Sequence, residues 1–184
     1  MNWNASIQHE VARDYVIDIS YQGSGSVGLI ERWELNTFPI DYAANDPALR
    51  DKVFAASQNY RPYPQFGNVT FRSNLGHATF HSGTAKLEKR MSHGFFFSTF
   101  YTFSKTIDSA DGDNSGGGVA PIQNRKLEKA RAGYDRNHRF IATVNYELPF
   151  GKGKKFMTSN RIGNAIFGGL ELSTVQTMET GNPL

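Results

Sequence analysis

The stretch AKLEKRMSHGFFFSTFYTFSKTID, residues 85–108, decides the fold, because two long alternating segments in it meet at the polar turn Ser92-His93-Gly94. Successive side chains of an extended chain point to opposite faces. After the turn, one face is mainly aromatic and consists of Phe95, Phe97, Thr99, Tyr101 and Phe103. The other face is more polar and consists of Phe96, Ser98, Phe100, Thr102 and Ser104. The pattern predicts a β-hairpin with one apolar face and one largely polar face.

The arms of this hairpin are long for a soluble protein. Each arm covers about 11–13 residues, whereas a typical soluble strand has about 5 or 6. A tilted strand needs about 9–11 residues to cross a bilayer. The length therefore favours a pair of membrane-crossing strands.

The same alternation recurs along the chain. Tyr15 and Tyr21 bracket an aliphatic segment, which is typical of a strand whose aromatic ends lie at the two membrane interfaces. Turns are expected at residues 13–14 and at Gly76. The predicted strands are residues 2–10, 15–22, 80–91, 95–105, 138–148 and 165–180, with a shorter strand at 66–74.

Two stretches lack the alternation and are rich in glycine, proline or charge: residues 23–65 and 109–137. Within them the sequence predicts a helix over residues 46–57, with Asp46 as its N-cap, and a short helix over 125–132. Connections of this length are uncommon in compact soluble domains. They are typical of the extracellular loops of outer-membrane barrels.

Composition agrees with this reading. The chain has 184 residues, of which 39% are hydrophobic and 13% aromatic, and it has no cysteine, so disulfides and thiolate metal sites are excluded. No apolar run of about 18 residues occurs, which excludes a membrane-spanning helix but not spanning strands. The start of the chain has no leader pattern, so we expect no signal peptide. The net charge of +3 is scattered, and no nucleic-acid partner is expected.

The long connections also predict a topology. If both lie on the outer side, the strands at 15–22 and 95–105 both run outward, so only one spanning strand separates them. Residues 80–91 fit that role, and 66–74 would extend it above the membrane. About six crossings result, fewer than the smallest closed barrels of about 8 strands. Because open edges are not tolerated in lipid, we predict an all-β, antiparallel arc of a larger outer-membrane barrel, with residues 1–184 as one partial barrel domain.

A set of short motifs occurs in one order: Leu87-Glu88-Lys89-Arg90-x-Ser92-x-Gly94, Ser104-Lys105-x-Ile107-Asp108, Asp135-x-x-His138-Arg139-Phe140, Leu148-Pro149-Phe150-Gly151-x-Gly153, Gly168-Gly169 and Gly181-x-Pro183. Together they resemble the β-barrel domain of TonB-dependent outer-membrane receptors of the Oar-like type, which often carry a carboxypeptidase-regulatory-like domain ahead of a plug. The likeness covers nearly the whole chain. Phe103 and Leu170 stand where tryptophan is more usual, and Thr180 where serine is common.

The resemblance implies a barrel of about 22 strands in the bacterial outer membrane. It also implies a plug domain and a TonB-type energy-coupling protein that drives uptake or secretion. The plug and the energy-coupling box are not in this chain, so these residues would form the membrane wall and the ligand-facing loops. The expected partners are outer-membrane lipid, the rest of the barrel and the plug, with no cofactor.

The sequence gives little support for a metal site or a catalytic site. Asp111-x-Asp113-x-Ser115-Gly116 matches the first half of a calcium loop, but Ile122 stands where the glutamate ligand is due, so a polar loop is favoured. No serine, histidine and carboxylate set suggests catalysis, and we expect no enzyme.

Other polar motifs have simpler interpretations. His77 and His81 have a spacing that would suit a metal site only on a helix. We therefore favour loop or interface histidines over a metal pair. The sequons at Asn4 and Asn68 fall in predicted strands. Lys152-x-Lys154-Lys155 is either a solvated turn or a contact with anionic lipid.

Three apolar residues interrupt the polar face: Phe96, Phe100 and Ile141. They either pack against a plug or fill space. A charge at lipid-facing Ile17 or Thr99 should cost about 2–4 kcal/mol. The same change at Ser20 or Ser98 should be tolerated.

The leading hypothesis is a structural segment of a TonB-dependent transporter. Two alternatives stay open: a soluble antiparallel β module for binding or adhesion, and a porin-like barrel without a plug.

Overall fold

The computed structural model describes residues 1–37, 46–55, 57–109, 126, 128–156 and 161–183. Its strands are β1 Asn2–Ala12, β2 Tyr15–Glu34, β3 Thr70–Ser92, β4 Phe95–Asp108, β5 Ala130–Arg131, β6 His138–Glu147 and β7 Glu171–Glu179. Its helices are α1 Pro47–Ala55, a 3-10 helix Ser57–Tyr60 and α2 Arg161–Phe167. Within these ranges, no helix is long and apolar enough to span a membrane.

All strands join one antiparallel sheet in the order β1-β2-β3-β4-β6-β7, and β5 pairs with the end of β4. Within the described residues, β1 pairs only with β2 and β7 only with β6, so the sheet is open. This confirms the predicted all-β arc of six long strands. We call the end with the β2–β3 and β4–β6 connections the loop end, and the opposite end the turn end.

The turns at the turn end follow the sequence. His93 and Gly94 have φ of 52° and 75°, as a two-residue hairpin turn between right-twisted strands requires, which confirms the predicted turn. Asp14 has φ of 68° in the first hairpin, where a turn was also predicted. Aspartate tolerates this left-handed conformation better than most residues.

β2 and β3 are longer than predicted, with 20 and 23 residues. Residues 23–34, expected to be irregular, continue β2, and Gly76, expected in a turn, lies inside β3. The two predicted strands 66–74 and 80–91 therefore merge, except that residues 66–69 precede β3. One strand does separate β2 from β4, as the topology predicted.

The glycines that suggested an irregular segment have structural reasons to lie in strands. A Cβ on Gly23 would lie 2.3 Å from the Trp3 indole Nε1, and one on Gly76 would lie 2.8 Å from the Leu29 carbonyl oxygen. Gly28, with φ of 75°, lies where the β2–β3 register shifts. Glycine inside a strand often marks such close approaches and bulges.

At the loop end, one helix prediction is confirmed, and the other is wrong in its second half, since residues 126 and 128 do have 3-10 conformation. Asp46 Oδ1 accepts hydrogen bonds from the amides of Ala48 (3.0 Å) and Leu49 (3.1 Å), so it caps α1 as predicted. In the predicted helix 125–132, however, Ala130–Arg131 forms β5, because it supplies hydrogen-bond partners to the end of β4. The candidate calcium loop at 111–116 lies outside the described residues.

The β6–β7 connection also differs from prediction. The strand expected from residue 165 begins only at Glu171, because residues up to Phe167 belong to α2. Gly169 has φ of 76° just after the helix, a conformation that ends helices. The amide of Gly168 donates to the Asn164 carbonyl at 2.9 Å, and the amide of Leu148 donates to the Leu170 carbonyl at 2.9 Å.

We predict that Gly168→Ala destabilises this connection by about 1–3 kcal/mol, the usual cost of overpacking. The new Cβ would lie 2.3 Å from the Asn164 carbonyl oxygen, so the backbone must move. Urea unfolding of the refolded protein measures the change. Gly181→Ala is the control, because nothing lies within 4 Å of a Cβ there. Equal stability of the two variants would contradict the packing argument.

Candidate functional site: the two faces of the wall

The strand register places the predicted apolar residues on one face of the sheet. Directly paired residues share a face, and one continuous row across six strands is Ile7, Ile19, Ala85, Tyr101, Phe140 and Met178. The next row toward the turn end is His9, Ile17, Leu87, Thr99, Ala142 and Gln176. Ile7, Ile19 and Met178 are exposed. The apolar face therefore points away from the rest of the chain and is suited to contact lipid.

Aromatic residues border this apolar face at both ends. At the loop end, the Tyr21 and Tyr101 hydroxyls lie 2.8 Å from Nδ1 of His81 and His138. This group consists of Trp3, Tyr21, His81, Tyr101, Phe103 and His138. The group at the turn end consists of Tyr15, Phe95, Phe97 and Tyr146.

The separation of the two aromatic groups matches a bilayer. From Phe95 to Phe103 the strand advances about 27 Å at about 3.4 Å per residue. At a tilt of about 40° this is about 21 Å across the membrane, close to the apolar band of about 25 Å in outer-membrane barrels. The two groups therefore have the spacing of interface girdles.

Lys89 lies on the apolar face, which the alternation did not reveal. It pairs with Tyr15 and Phe97 across the sheet. Its Nζ donates to Ser92 Oγ at 2.7 Å and to the Phe95 carbonyl at 3.0 Å, and it lies 5.5 Å from the centre of the Phe95 ring. The side chain thus carries its charge to the turn-end rim, as lysines at membrane interfaces do.

The opposite face is largely polar. One row across the sheet is Ser6, Ser20, Thr84, Thr102, Arg139 and Glu179. The Thr84 and Thr102 hydroxyls are 3.0 Å apart, and Lys86 pairs with Glu88 at 2.6 Å. Ser82 and Ser98 on this face are buried. Such a face suits the interior of a barrel.

An apolar patch interrupts this polar face, as the sequence indicated. Phe100 pairs directly with Ile141 on one side and with Lys86 on the other. The Lys86 Nζ lies 5.4 Å from the centre of the Phe100 ring. Phe96 lies on the same face nearer the turn end, and all three apolar side chains are half-buried.

Nearer the loop end, the polar face contains a cavity of about 450 Å³ with two arginines. The Nε atoms of Arg136 and Arg139 each lie 3.8 Å from Glu179, so two guanidinium groups share one carboxylate. Nη1 of Arg136 is buried and has no hydrogen-bond partner in the described part of the chain. Since Asp135 and Glu179 also line the cavity, its charges balance, but the Arg136 guanidinium keeps unused donor capacity.

Asp135 holds the segment before β6 against β4. Its side chain is buried, Oδ1 accepts from the Thr106 amide at 3.0 Å, and Oδ2 accepts from Arg131 Nε at 3.1 Å. The side-chain amide nitrogen Nδ2 of Asn137 also donates to the Ser104 carbonyl at 2.8 Å. The motifs around residues 104–108 and 135–140 thus meet in space and have a structural role.

A second cavity, of about 610 Å³, lies at the loop end. It brings together a serine, a histidine and a carboxylate, which the sequence reasoning missed because Glu31 fell in a segment predicted to be irregular. The Ser109 hydroxyl donates to Glu31, and its oxygen accepts from the His77 amide at 3.1 Å. In a nucleophilic triad the histidine lies between the other two. Here serine is in the middle, so the contacts tie β2, β3 and β4 together.

The other sequence candidates do not assemble. His77 and His81 lie about 14 Å apart along β3 at about 3.4 Å per residue, too far to share a metal. Among the described residues, no group of three or more His, Asp or Glu could hold a metal ion. Asn4 lies in β1, and Asn68 Oδ1 accepts from Arg61 at 2.8 Å. Lys154 pairs with Glu147 at the turn end.

Comparison with known proteins agrees with this geometry. A family described as outer membrane beta barrel domain matches residues 1–184. Comparison with curated proteins and with solved structures gives no match. Because the family match covers the whole chain and the sheet has one lipid-suited and one polar face, the chain belongs to the outer membrane beta barrel domain family and forms barrel wall in the bacterial outer membrane.

Proposed function

We propose that this wall is part of a TonB-dependent, Oar-like transporter whose lumen is filled by a plug domain. The observation that carries the proposal is the apolar patch formed by Phe96, Phe100 and Ile141 on the lumen face. A water-filled pore gains nothing from half-buried phenyl rings, whereas burial against a plug stabilises by about 25 cal/mol per Å² of apolar area.

The arginine cavity supports the same proposal. A buried donor without a partner costs about 1–3 kcal/mol, so Arg136 Nη1 favours an acceptor from outside the described residues. A carboxylate or carbonyl of a plug placed between Arg136 and Arg139 would supply one. The ordered motifs that resemble Oar-like receptors add independent support.

In this proposal the chain acts as a passive wall. Its apolar face seals against lipid, and its open edges at β1 and β7 pair with further strands, since unpaired edges are not tolerated in lipid. The loop end lies outside the cell, where ligand binds, and the turn end lies in the periplasm. A TonB-type inner-membrane protein would act on the plug rather than on these residues.

Conductance of the intact protein in planar bilayers tests the proposal against a porin-like barrel. A plugged barrel should be closed and should open only when urea unfolds the plug. Stable open channels without urea would contradict the plug and favour the porin. The remaining alternative, a soluble binding module, is disfavoured by the family match.

We predict that Phe100→Ser weakens plug retention by up to about 1.5–3 kcal/mol, the value of burying one large apolar side chain. Channel opening should then occur at a lower urea concentration, while the barrel itself unfolds as before. Phe97→Ser is the matched control, because it removes the same ring from the lipid face of the same strand. If neither the opening nor the barrel responds to Phe100→Ser, the ring only fills space.

A further inference from the structure

The β6–β7 connection at the turn end carries exposed apolar side chains. Ile162 and Ile166 are 74% and 61% exposed, and Phe156 and Phe167 are 48% and 44% exposed. The two isoleucines are four residues apart in α2 and so share one helix face. A short helix gains no stability from such exposure in water, so this face suits an apolar environment.

The apolar cluster is continuous with the lipid-facing side of the sheet. Tyr146 lies in the turn-end girdle and pairs with Leu172, which is exposed on the same face. Beyond them the Leu148 amide bonds the Leu170 carbonyl. Phe150 follows, and its ring lies 6.0 Å from Phe156 and 6.5 Å from Phe167. The lipid face thus extends past the girdle into the connection.

Cationic side chains flank the cluster. Lys152, Lys155 and Arg161 are exposed and make no ion pair within the described residues, while Lys154 pairs with Glu147. Lys155 Nζ lies 5.5 Å from the centre of the Phe156 ring. Apolar residues beside basic residues are typical of segments that lie in a membrane interface, where the charges meet lipid phosphates.

Specific contacts join the described parts of this connection, residues 148–156 and α2. Asn164 Oδ1 accepts from the Lys152 amide at 2.7 Å, which joins α2 to the start of the connection. A Cβ on Gly151, whose φ is 110°, would lie 2.8 Å from the same Asn164 oxygen, so only glycine permits this close packing. The helix is therefore held in place with Ile162 and Ile166 still exposed.

We propose that residues 148–156 and α2, the described parts of the β6–β7 connection, form an interfacial anchor for phospholipid in the periplasmic leaflet. Ile162, Ile166 and Phe156 enter the acyl-chain boundary, and Lys152 and Lys155 contact anionic headgroup phosphates. The anchor rests on the family and on the outward orientation of the loop end, not on the presence of a plug. It would fix the depth of this side of the barrel.

Site-directed spin labelling of the intact protein in phospholipid nanodiscs tests the anchor, and the absence of cysteine in this chain makes single labels simple to place. A nitroxide at Ile166→Cys should be several-fold more accessible to oxygen than to a nickel chelate, like a label at Ile19→Cys on the lipid face. A label at Arg13→Cys, in the β1–β2 turn of the same rim, should show the opposite preference.

Two outcomes would overturn the anchor. Accessibility of the Ile166 label to nickel, as at Arg13, would place α2 in water. Protection from both reagents would mean that protein covers the face.

A second experiment tests the charge contacts. Adding phosphatidylglycerol to phosphatidylethanolamine discs should move the Ile166 label deeper into the membrane, and K152Q/K155Q should abolish this shift. The role of the lysines would be overturned if the label shifted equally in K152Q/K155Q, or if it did not shift in the labelled protein that keeps both lysines.

Discussion

Ile19→Lys should destabilise the barrel by about 2–4 kcal/mol, the cost of a lysine facing lipid near the midplane. Ile19 lies between the girdle residues Tyr15 and Tyr21, is 56% exposed, and pairs with Ile7 and Ala85. From this position a lysine reaches neither aqueous side easily, unlike Lys89 at the rim. Equilibrium unfolding by guanidinium of the intact protein in phospholipid vesicles measures the loss.

Ser20→Lys is the matched control, because Ser20 is the next residue and points to the lumen face, where it pairs with Ser6 and Thr84. We expect it to change stability by less than about 0.5 kcal/mol, as is usual for accessible polar positions. Equal losses in both variants would contradict the assignment of the two faces. Ser98→Lys, which the sequence also predicts to be tolerated, is a poorer control, because the Ser98 side chain is buried.

The faces of the sheet could be predicted from sequence because a strand has a fixed period of two residues. Once Phe97, Thr99 and Tyr101 are placed on one face, the residues between them must lie on the other face. The hairpin turn at His93 and Gly94 was equally local, since its backbone conformation favours glycine and small polar residues. These features need no knowledge of distant contacts.

The extension of β2 could not be predicted in this way. Glycine lowers strand propensity, so glycines in this part of the sequence argue against a strand. In the structure Gly23 is required because Trp3 of β1 lies close to it, and Gly76 of β3 is required because Leu29 of β2 lies close to it. Both contacts are between different strands and are not visible in the local sequence. The predicted start of β7 was wrong for a similar reason. The alternation at residues 165–167 resembles a strand, but Asn164 and the glycines hold these residues in α2.

The lumen sites were partly predictable. The apolar patch followed from alternation alone, because Phe100 and Ile141 break a local pattern. The arginine cavity did not, because it requires the register that brings Arg139 next to Glu179 across β6 and β7. The contact of Ser109 with Glu31 likewise depends on the long course of β2 and β3, which the sequence did not reveal.

Asp135→Ala should open the segment before β6 at a cost of about 2–3 kcal/mol, because it leaves the buried Thr106 amide without an acceptor and removes the charged partner of Arg131. The loss should be local, since the pairing of β4 with β6 from Phe103 to Phe95 does not involve Asp135. Hydrogen exchange of the Ser104 and Thr106 amides, which donate to the Asn137 carbonyl and to Asp135 Oδ1, should therefore accelerate in the intact protein. Exchange of the Ser109 amide, which donates to the His77 carbonyl of β3, and of the hairpin of residues 85–103 should stay slow.

Asp135→Asn separates the two contributions to this clamp. The amide oxygen can still accept from Thr106 at the position of Oδ1, but the ion pair with Arg131 is lost. Because Arg131 is 40% exposed, its guanidinium can turn to water in the variant, and asparagine should lose less stability than alanine. If asparagine accelerates exchange as much as alanine, the ion pair rather than the buried amide holds the loop to the wall.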